Sequence, residues 1–202
     1  MSSWLHQDLG KVRNSMLSVD RDKPRHYGDD KGRYWSVSQV CEVISGGCDY
    51  YAPGAAERGQ DLHDIFALEV GNYAGLCDAP DVPEHYAGYH TAMTEFIAWA
   101  KPVPVAIERI MTHKTYPYAG RADFIGSIND EFGVLDLKTG DPEKWHLVQI
   151  HGYQKMLDKV AKMWILYVGA DGKFQFKAVK PSARDWAAFQ NGLSILQWRE
   201  AA

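Results

Sequence analysis

Residues 119–140 read Ala119-Gly120-Arg121-Ala122-Asp123-Phe124-Ile125-Gly126-Ser127-Ile128-Asn129-Asp130-Glu131-Phe132-Gly133-Val134-Leu135-Asp136-Leu137-Lys138-Thr139-Gly140. Two strands are expected here, Tyr116 to Ile128 and Phe132 to Lys138, joined at Asn129-Asp130, a pair suited to a two-residue hairpin turn. An antiparallel hairpin closing there sets Asp123 opposite Asp136, and directly opposed residues point to the same side of a sheet. Lys138 lies two residues beyond Asp136 and shares that side. One turn therefore gathers two carboxylates and an ammonium among apolar neighbours: Phe124, Ile125, Val134, Leu135 and Leu137. Two carboxylates side by side in a half-buried sheet persist as anions only when a cation holds them. Lys138 neutralises one; a divalent metal would neutralise both. Hard oxygen ligands suit Mg²⁺ or Mn²⁺ rather than a closed zinc site. The bland alternative is a cross-strand salt bridge at a sheet end, for which two carboxylates to one lysine is an unusual ratio.

Working outward, Val103 to Met111 is a further expected strand. It carries Glu108, which reads equally as a solvated carboxylate or a functional one. A helix is expected from about Pro142 to Lys159. It places Gln149 and Tyr153 one turn apart on one face, near Lys138 if the helix folds back beside the strand; core packing is the ordinary reading of Tyr153. Met163 to Val168 and Phe174 to Val179 are two more strands, joined at Ala170-Asp171-Gly172. Ser182 caps a last helix carrying Trp186, Phe189, Leu193, Leu196 and Trp198. Upstream, Ser36 is a candidate cap for a short helix to Ile44, and 20–34 is dense in charge, Gly and Pro and reads as a loop or mobile arm. Amphipathic helices are expected over 55–72 and over 83–100, behind Pro83. His63 lies next to the apolar stripe of the first, where packing is the commoner role for a lone helical histidine. The order of elements predicts an α/β fold, a central mixed sheet flanked by helices. One domain is expected over 1–202: a mainly helical part (1–101), a catalytic sheet core (102–180) and a C-terminal helix (181–202).

Composition sets the limits. The chain has 202 residues, 46% hydrophobic and 24% charged, with a formal net charge of −4. These values exclude collagen-like, coiled-coil and wholly disordered chains. No run approaches the ~18 apolar residues of a membrane span, and the first residues lack the pattern of a signal peptide, so no membrane partner and a cytoplasmic location are expected. Cys41, Cys48 and Cys77 form no C-x-x-C pair, and reduced thiols are the simple reading. The mild negative charge does not advertise nucleic-acid binding, but a carboxylate metal site is locally acidic in any case.

The run Gly120-x-x-Asp123, Asp136-x-Lys138-Thr139-Gly140 and Gln149-x-x-x-Tyr153 resembles the PD-(D/E)XK nuclease superfamily. More narrowly it is similar to the RecB-like exonuclease branch, which includes the RecB nuclease domain, CRISPR-associated nucleases and mitochondrial genome maintenance exonucleases. Ser36-Val37-Ser38-Gln39-Val40 and Glu57-Arg58-Gly59-x-x-x-His63 fit the N-terminal helical part of that branch. The resemblance spans about residues 34–180 and implies a restriction-endonuclease-like core. By position it implies that Asp123 and Asp136 are metal ligands, joined by the Leu137 backbone carbonyl, with His63 as the additional ligand and Glu108 as a further acidic candidate. Lys138 would act on the attacking water, and Gln149 and Tyr153 would support the lysine and the DNA. Some members of the branch carry an iron–sulfur cluster on one cysteine before the core and three after it; no cysteine follows Cys77, so no cluster is expected. The implied function is a Mg²⁺- or Mn²⁺-dependent DNA exonuclease of recombination, repair or phage DNA processing, bacterial or phage-encoded. It would act on single-stranded DNA or duplex ends, with unwinding left to a recombination or helicase partner. A flap or junction endonuclease, or a non-catalytic nucleic-acid-binding module on the same fold, are the alternatives.

Overall fold

The central hairpin turns at Asn129 and Asp130, which both take positive φ (49° and 64°), the backbone of a type I′ turn. Its strands pair from Ile128↔Glu131 to Phe124↔Leu135, the register the turn pair requires. The computed structural model from which this is read describes residues 27–29, 32–46 and 54–201; residues 1–26, the Asp30-Lys31 part of the expected arm, and Cys48 lie outside them.

Among the described residues, seven strands form one mixed sheet in the order β1-β2-β4-β5-β6-β7, with β3 pairing β4. They are β1 (Tyr27–Asp29), β2 (Gly32–Ser36), β3 (Val103–Thr112), β4 (Tyr118–Ile128), β5 (Glu131–Lys138), β6 (Lys162–Val168) and β7 (Phe174–Val179). The helices are α1 (Val37–Ser45), α2 (Ala55–Tyr73), α3 (Ala87–Ala100), α4 (Lys144–Lys155) and α5 (Ala183–Glu200), with a short 3₁₀ turn, Glu84–Tyr86, leading into α3. Ser36 and Ser182 cap α1 and α5 as expected, accepting from the backbone N–H groups of Gln39 and Asp185.

Two elements differ from expectation. Part of the stretch expected to be a loop, 20–34, is instead the β1–β2 hairpin, with Tyr27 opposite Tyr34. Its second strand is anchored by pairing Trp35 with Tyr118, a long-range contact that overrides the local density of charge and glycine. Helix α4 starts later than Pro142 because Glu143 takes an extended backbone and closes a reciprocal cap with His146: the Glu143 side chain accepts from the His146 N–H, and His146 Nδ1 accepts from the Glu143 N–H.

Each face of the sheet has its own core. Leu62 and Phe66 of α2 and Met93 and Phe96 of α3 pack on Ile107, Phe124, Leu135 and Leu137. On the other face, Val40 of α1, Ile150 and Tyr153 of α4, and Phe189 and Leu193 of α5 pack on Tyr118, Ala122, Ile125, Val134 and Ile165.

Strand β4 does not alternate uniformly between these cores. Tyr118 and Ala122 face the α1/α4/α5 side, whereas Phe124 and Ile128, which keep the same parity, face the α2/α3 side. The alternation inverts at Asp123. Neighbouring β3 inverts at the same level, with Ala106 and Met111, of opposite parity, both on the α1/α4/α5 side. Between them Glu108 adopts φ 51° in mid-strand, a left-handed conformation costing a non-glycine residue roughly 1–2 kcal/mol. The β3–β4 register runs from Ala106↔Ile125 to Thr112↔Ala119 and skips only the pair Glu108 and Asp123.

Asp123 is also where β4 and β5 part. β5 stays with β6 as far as Lys138↔Tyr167, but its last pair with β4 is Leu135. Further along that edge of β4, at Tyr118 and Ala119, the partner is β2, running parallel.

Candidate metal centre

At the opening between β4 and β5, side chains replace backbone pairing. The Asp123 carboxylate accepts the Leu137 N–H at 2.6 Å through Oδ2, a charge-assisted bond where a carbonyl would otherwise serve. Its Oδ1 lies 3.0 Å from His63 Nδ1 on α2. Glu108, turned by its left-handed backbone, completes a group: one ligand atom from each of His63, Glu108 and Asp123 lies within 4.8 Å of the others. The three come from three elements, α2, β3 and β4. Glu108 in turn is gripped by Arg121, Nε to Oε2 at 2.6 Å.

Asp136 and Lys138 form a second, adjoining pair, Oδ2 to Nζ at 2.6 Å. Asp136 is 1% exposed. It sits opposite Ile165 in the β5–β6 register, on the α1/α4/α5 side of the sheet. The Lys138 ammonium lies 5.5 Å from the centre of the Trp145 ring, within cation–π range. Gln149 and Tyr153 are buried on α4, with Gln149 Nε2 donating to the Tyr153 hydroxyl at 3.3 Å. Tyr153 fits because Gly120 has no side chain: a Cβ there would come 2.7 Å from Tyr153 Cε1. Asp123 and Asp136 thus flank the gap on adjacent strands, but Asp136 turns to Lys138 and stands outside the three-ligand group. At Leu137 it is the N–H that the structure ties to the site.

Electrostatics distinguishes the two aspartates. Burial pushes both carboxyls up. For Asp123 the charge and hydrogen bond of His63, then Lys138 and the Leu137 N–H, outweigh it and hold the group below the usual carboxylate range. For Asp136 burial, reinforced by the Asp123 charge, outweighs Lys138 and leaves the group above that range. Burial lowers His63, but Asp123 and then Glu108 raise it more. Neighbouring groups register the same charges: burial carries the Cys41 thiol up to about 12, with Lys138 and Asp136 as opposing influences. Burial, then Lys138 and Lys177, hold His146 down to about 3.

The donor set suits a hard divalent cation. It offers carboxylate oxygens and one imidazole, with no thiolate. Asp136 is raised chiefly because it is buried, with the Asp123 charge a smaller influence than Lys138.

The sequence does not single out Arg121, although it stands two residues before Asp123 on the same strand. Gln60, Trp145 and His146 carried no local signal.

No protein-family profile matches the sequence, and no curated protein matches it. Among solved structures, the chain is similar to an alkaline exonuclease, LHK-Exo, from Laribacter hongkongensis, at 12% identity and a TM-score of 0.47 over 100% of this chain and 93% of that one. The same enzyme in complex with dAMP aligns at 13% identity and a TM-score of 0.47 over 83% and 88%. A proposed exonuclease from Eubacterium rectale aligns at 11% identity and a TM-score of 0.49 over 82% and 79%. None of these TM-scores reaches 0.5.

Proposed function

We propose that this protein is a metal-dependent phosphodiester hydrolase acting on DNA, and that it works as an exonuclease. The observation that carries the reading is the meeting of His63, Glu108 and Asp123, whose ligand atoms lie within 4.8 Å of one another, beside the buried Asp136–Lys138 pair. His63, Glu108 and Asp123 would hold Mg²⁺ or Mn²⁺, with Asp136 at its border. A bound divalent ion would polarise the scissile phosphate and make water more acidic.

The chain's own residues supply the rest. Asp136 and Trp145 hold the Lys138 ammonium in one place, so it can orient the attacking water and offset charge growing on the phosphate oxygens. Asp123, fixed by the Leu137 N–H, keeps its second oxygen turned to His63. Gln149 and Tyr153 brace the wall behind Gly120. DNA is the natural substrate for a site of this resemblance, and backbone contacts would hold it without reading sequence.

The test is digestion of end-labelled linear DNA and circular single-stranded DNA with Mg²⁺, Mn²⁺ or EDTA. Expected are mononucleotides or short products from linear DNA with metal, intact circles, and no cleavage in EDTA. Cleavage of circles would make the enzyme an endonuclease, and undiminished cleavage in EDTA by pure protein would end the metal reading.

A further inference from the structure

The three side chains that meet at the candidate metal centre belong to three elements that no local sequence rule ties together. Asp123 is on β4, Glu108 on β3 and His63 on α2. One residue touches both of the elements that β4 must recruit. Arg121, two positions before Asp123, meets Glu108 Oε2 through Nε at 2.6 Å. Its terminal guanidinium nitrogen Nη2 donates to Gln60 Oε1 on α2 at 3.5 Å. Gln60 is one turn before His63, and its amide donates to Asp64 Oδ1 at 3.0 Å, so its orientation is set along the helix. The Arg121 and Glu108 side chains are each only 12% exposed.

We propose that Arg121 is the positioning residue that assembles this centre, clamping Glu108 of β3 and the His63-bearing turn of α2 onto β4. The inference rests on the metal reading above. Two further observations support it. Glu108 holds a left-handed backbone in the middle of a ten-residue strand, and such strain persists only where surrounding contacts over-determine it; the ion pair to Arg121 is one such contact. Moreover, reaching acceptors on two different elements needs a planar fork with several donors. Arginine provides this, and the point charge of lysine does not. Arg121 therefore orients ligands without being one, as partners outside a coordination sphere commonly do.

A competing role gives the opposite sign. A guanidinium that merely neutralises Glu108 in the metal-free protein competes with the cation, and its removal would tighten metal binding. The experiment is titration of the full-length, metal-free protein with Mn²⁺ alone, followed by calorimetry and by the electron paramagnetic resonance of free Mn²⁺. Arg121→Gln is expected to weaken Mn²⁺ binding by roughly 10–100-fold. Arg121→Lys, which keeps the charge and loses the fork, should fall between Arg121→Gln and wild type. Gln60→Ala, which cuts only the α2 arm, should lose several-fold. Gln60→Ala and Arg121→Lys should unfold at urea midpoints close to wild type, and Arg121→Gln, which leaves the Glu108 carboxylate without its ion-pair partner, at a lower one. Equal or tighter binding in Arg121→Gln overturns the proposal, as does unchanged Mn²⁺ affinity with weakened DNA binding, which would make Arg121 a phosphate contact. Should Arg121→Gln fail to fold, Arg121→Lys and Gln60→Ala decide: wild-type Mn²⁺ affinity in both refutes the clamp. A wild-type protein that binds no Mn²⁺ refutes the metal reading itself, a distinct result.

Discussion

Asp123 separates structural from chemical roles more cleanly than any other residue, because its two oxygens have different partners. Oδ2 accepts the Leu137 N–H at 2.6 Å and Oδ1 faces His63 at 3.0 Å, and the residue is 5% exposed. Asp123→Asn can keep its oxygen on the Leu137 N–H and turn its amide to a neutral His63. Two charge-assisted bonds become ordinary ones, a loss of about 1 kcal/mol each, and the cost of burying a carboxylate disappears. The net change in stability should be within about 1 kcal/mol, a shift of roughly 2–4 °C in melting temperature for a chain of this size. Asp123→Ala instead strands a buried N–H and an imidazole nitrogen at about 1–3 kcal/mol each, for a total near 2–6 kcal/mol and a melting temperature lower by about 4–24 °C. Both variants lose the anionic ligand, so both should lose Mn²⁺ binding and cleavage. Urea and thermal melts beside Mn²⁺ titration read the two effects separately. Equal destabilisation by Asn and Ala would refute the division of labour between the two oxygens, and Mn²⁺ bound by Asp123→Asn at wild-type affinity would remove Asp123 from the ligand set.

Three further outcomes are expected. Lys138→Ala should lower single-turnover cleavage by about 10²-fold or more, while DNA binding measured by anisotropy in Ca²⁺ changes little; equal losses of both would assign Lys138 to binding. His146 titrates at about 3 in the folded protein against an ordinary 6.5. The unfolded chain therefore binds the extra proton first, and this contribution to stability is full above pH 6.5 and drains away as pH falls towards 3; urea unfolding across that window should show a flatter pH dependence in His146→Gln. Asp130 holds φ 64° at the hairpin turn, so Asp130→Gly should stabilise by about 0.5–1 kcal/mol, and a lower urea midpoint would count against the turn assignment.

What could be read in the sequence was whatever depends on neighbours along the chain. Asn129-Asp130 sets the register of β4 and β5 because a two-residue turn leaves no freedom, and that alone brings Asp123 and Asp136 to the same gap. Ser36 and Ser182 act within one helical turn. Glu108 was ambiguous for the converse reason. Its role depends on the β3–β4 register, which a longer connection through His113 and Pro117 does not fix, and on a left-handed backbone for which Val103–Thr112 contains no glycine as a warning. The inversion of the two strands at Glu108 and Asp123 runs against the period-two rule used to assign faces, so Asp123 could be matched to Asp136 but not to His63. The β1–β2 hairpin escaped because its anchor, Tyr118, is more than eighty residues away.

The parting of β4 from β5 leaves the sheet without a continuous ladder along one edge of β4, served at one end by β5 and at the other by β2. A cut through the middle of a sheet would ordinarily let its two halves hinge. Here β3 runs along the opposite edge of β4 past the break, from Val103↔Ser127 to Thr112↔Ala119, and acts as a splint. The rigidity of the site is thus borrowed from a strand at the sheet margin, and the single contorted residue of that splint, Glu108, lies at the level of the cut. Changes on β3 far from any ligand, such as at its irregularity between Pro104 and Ala106, would be transmitted to the gap as a change in its width.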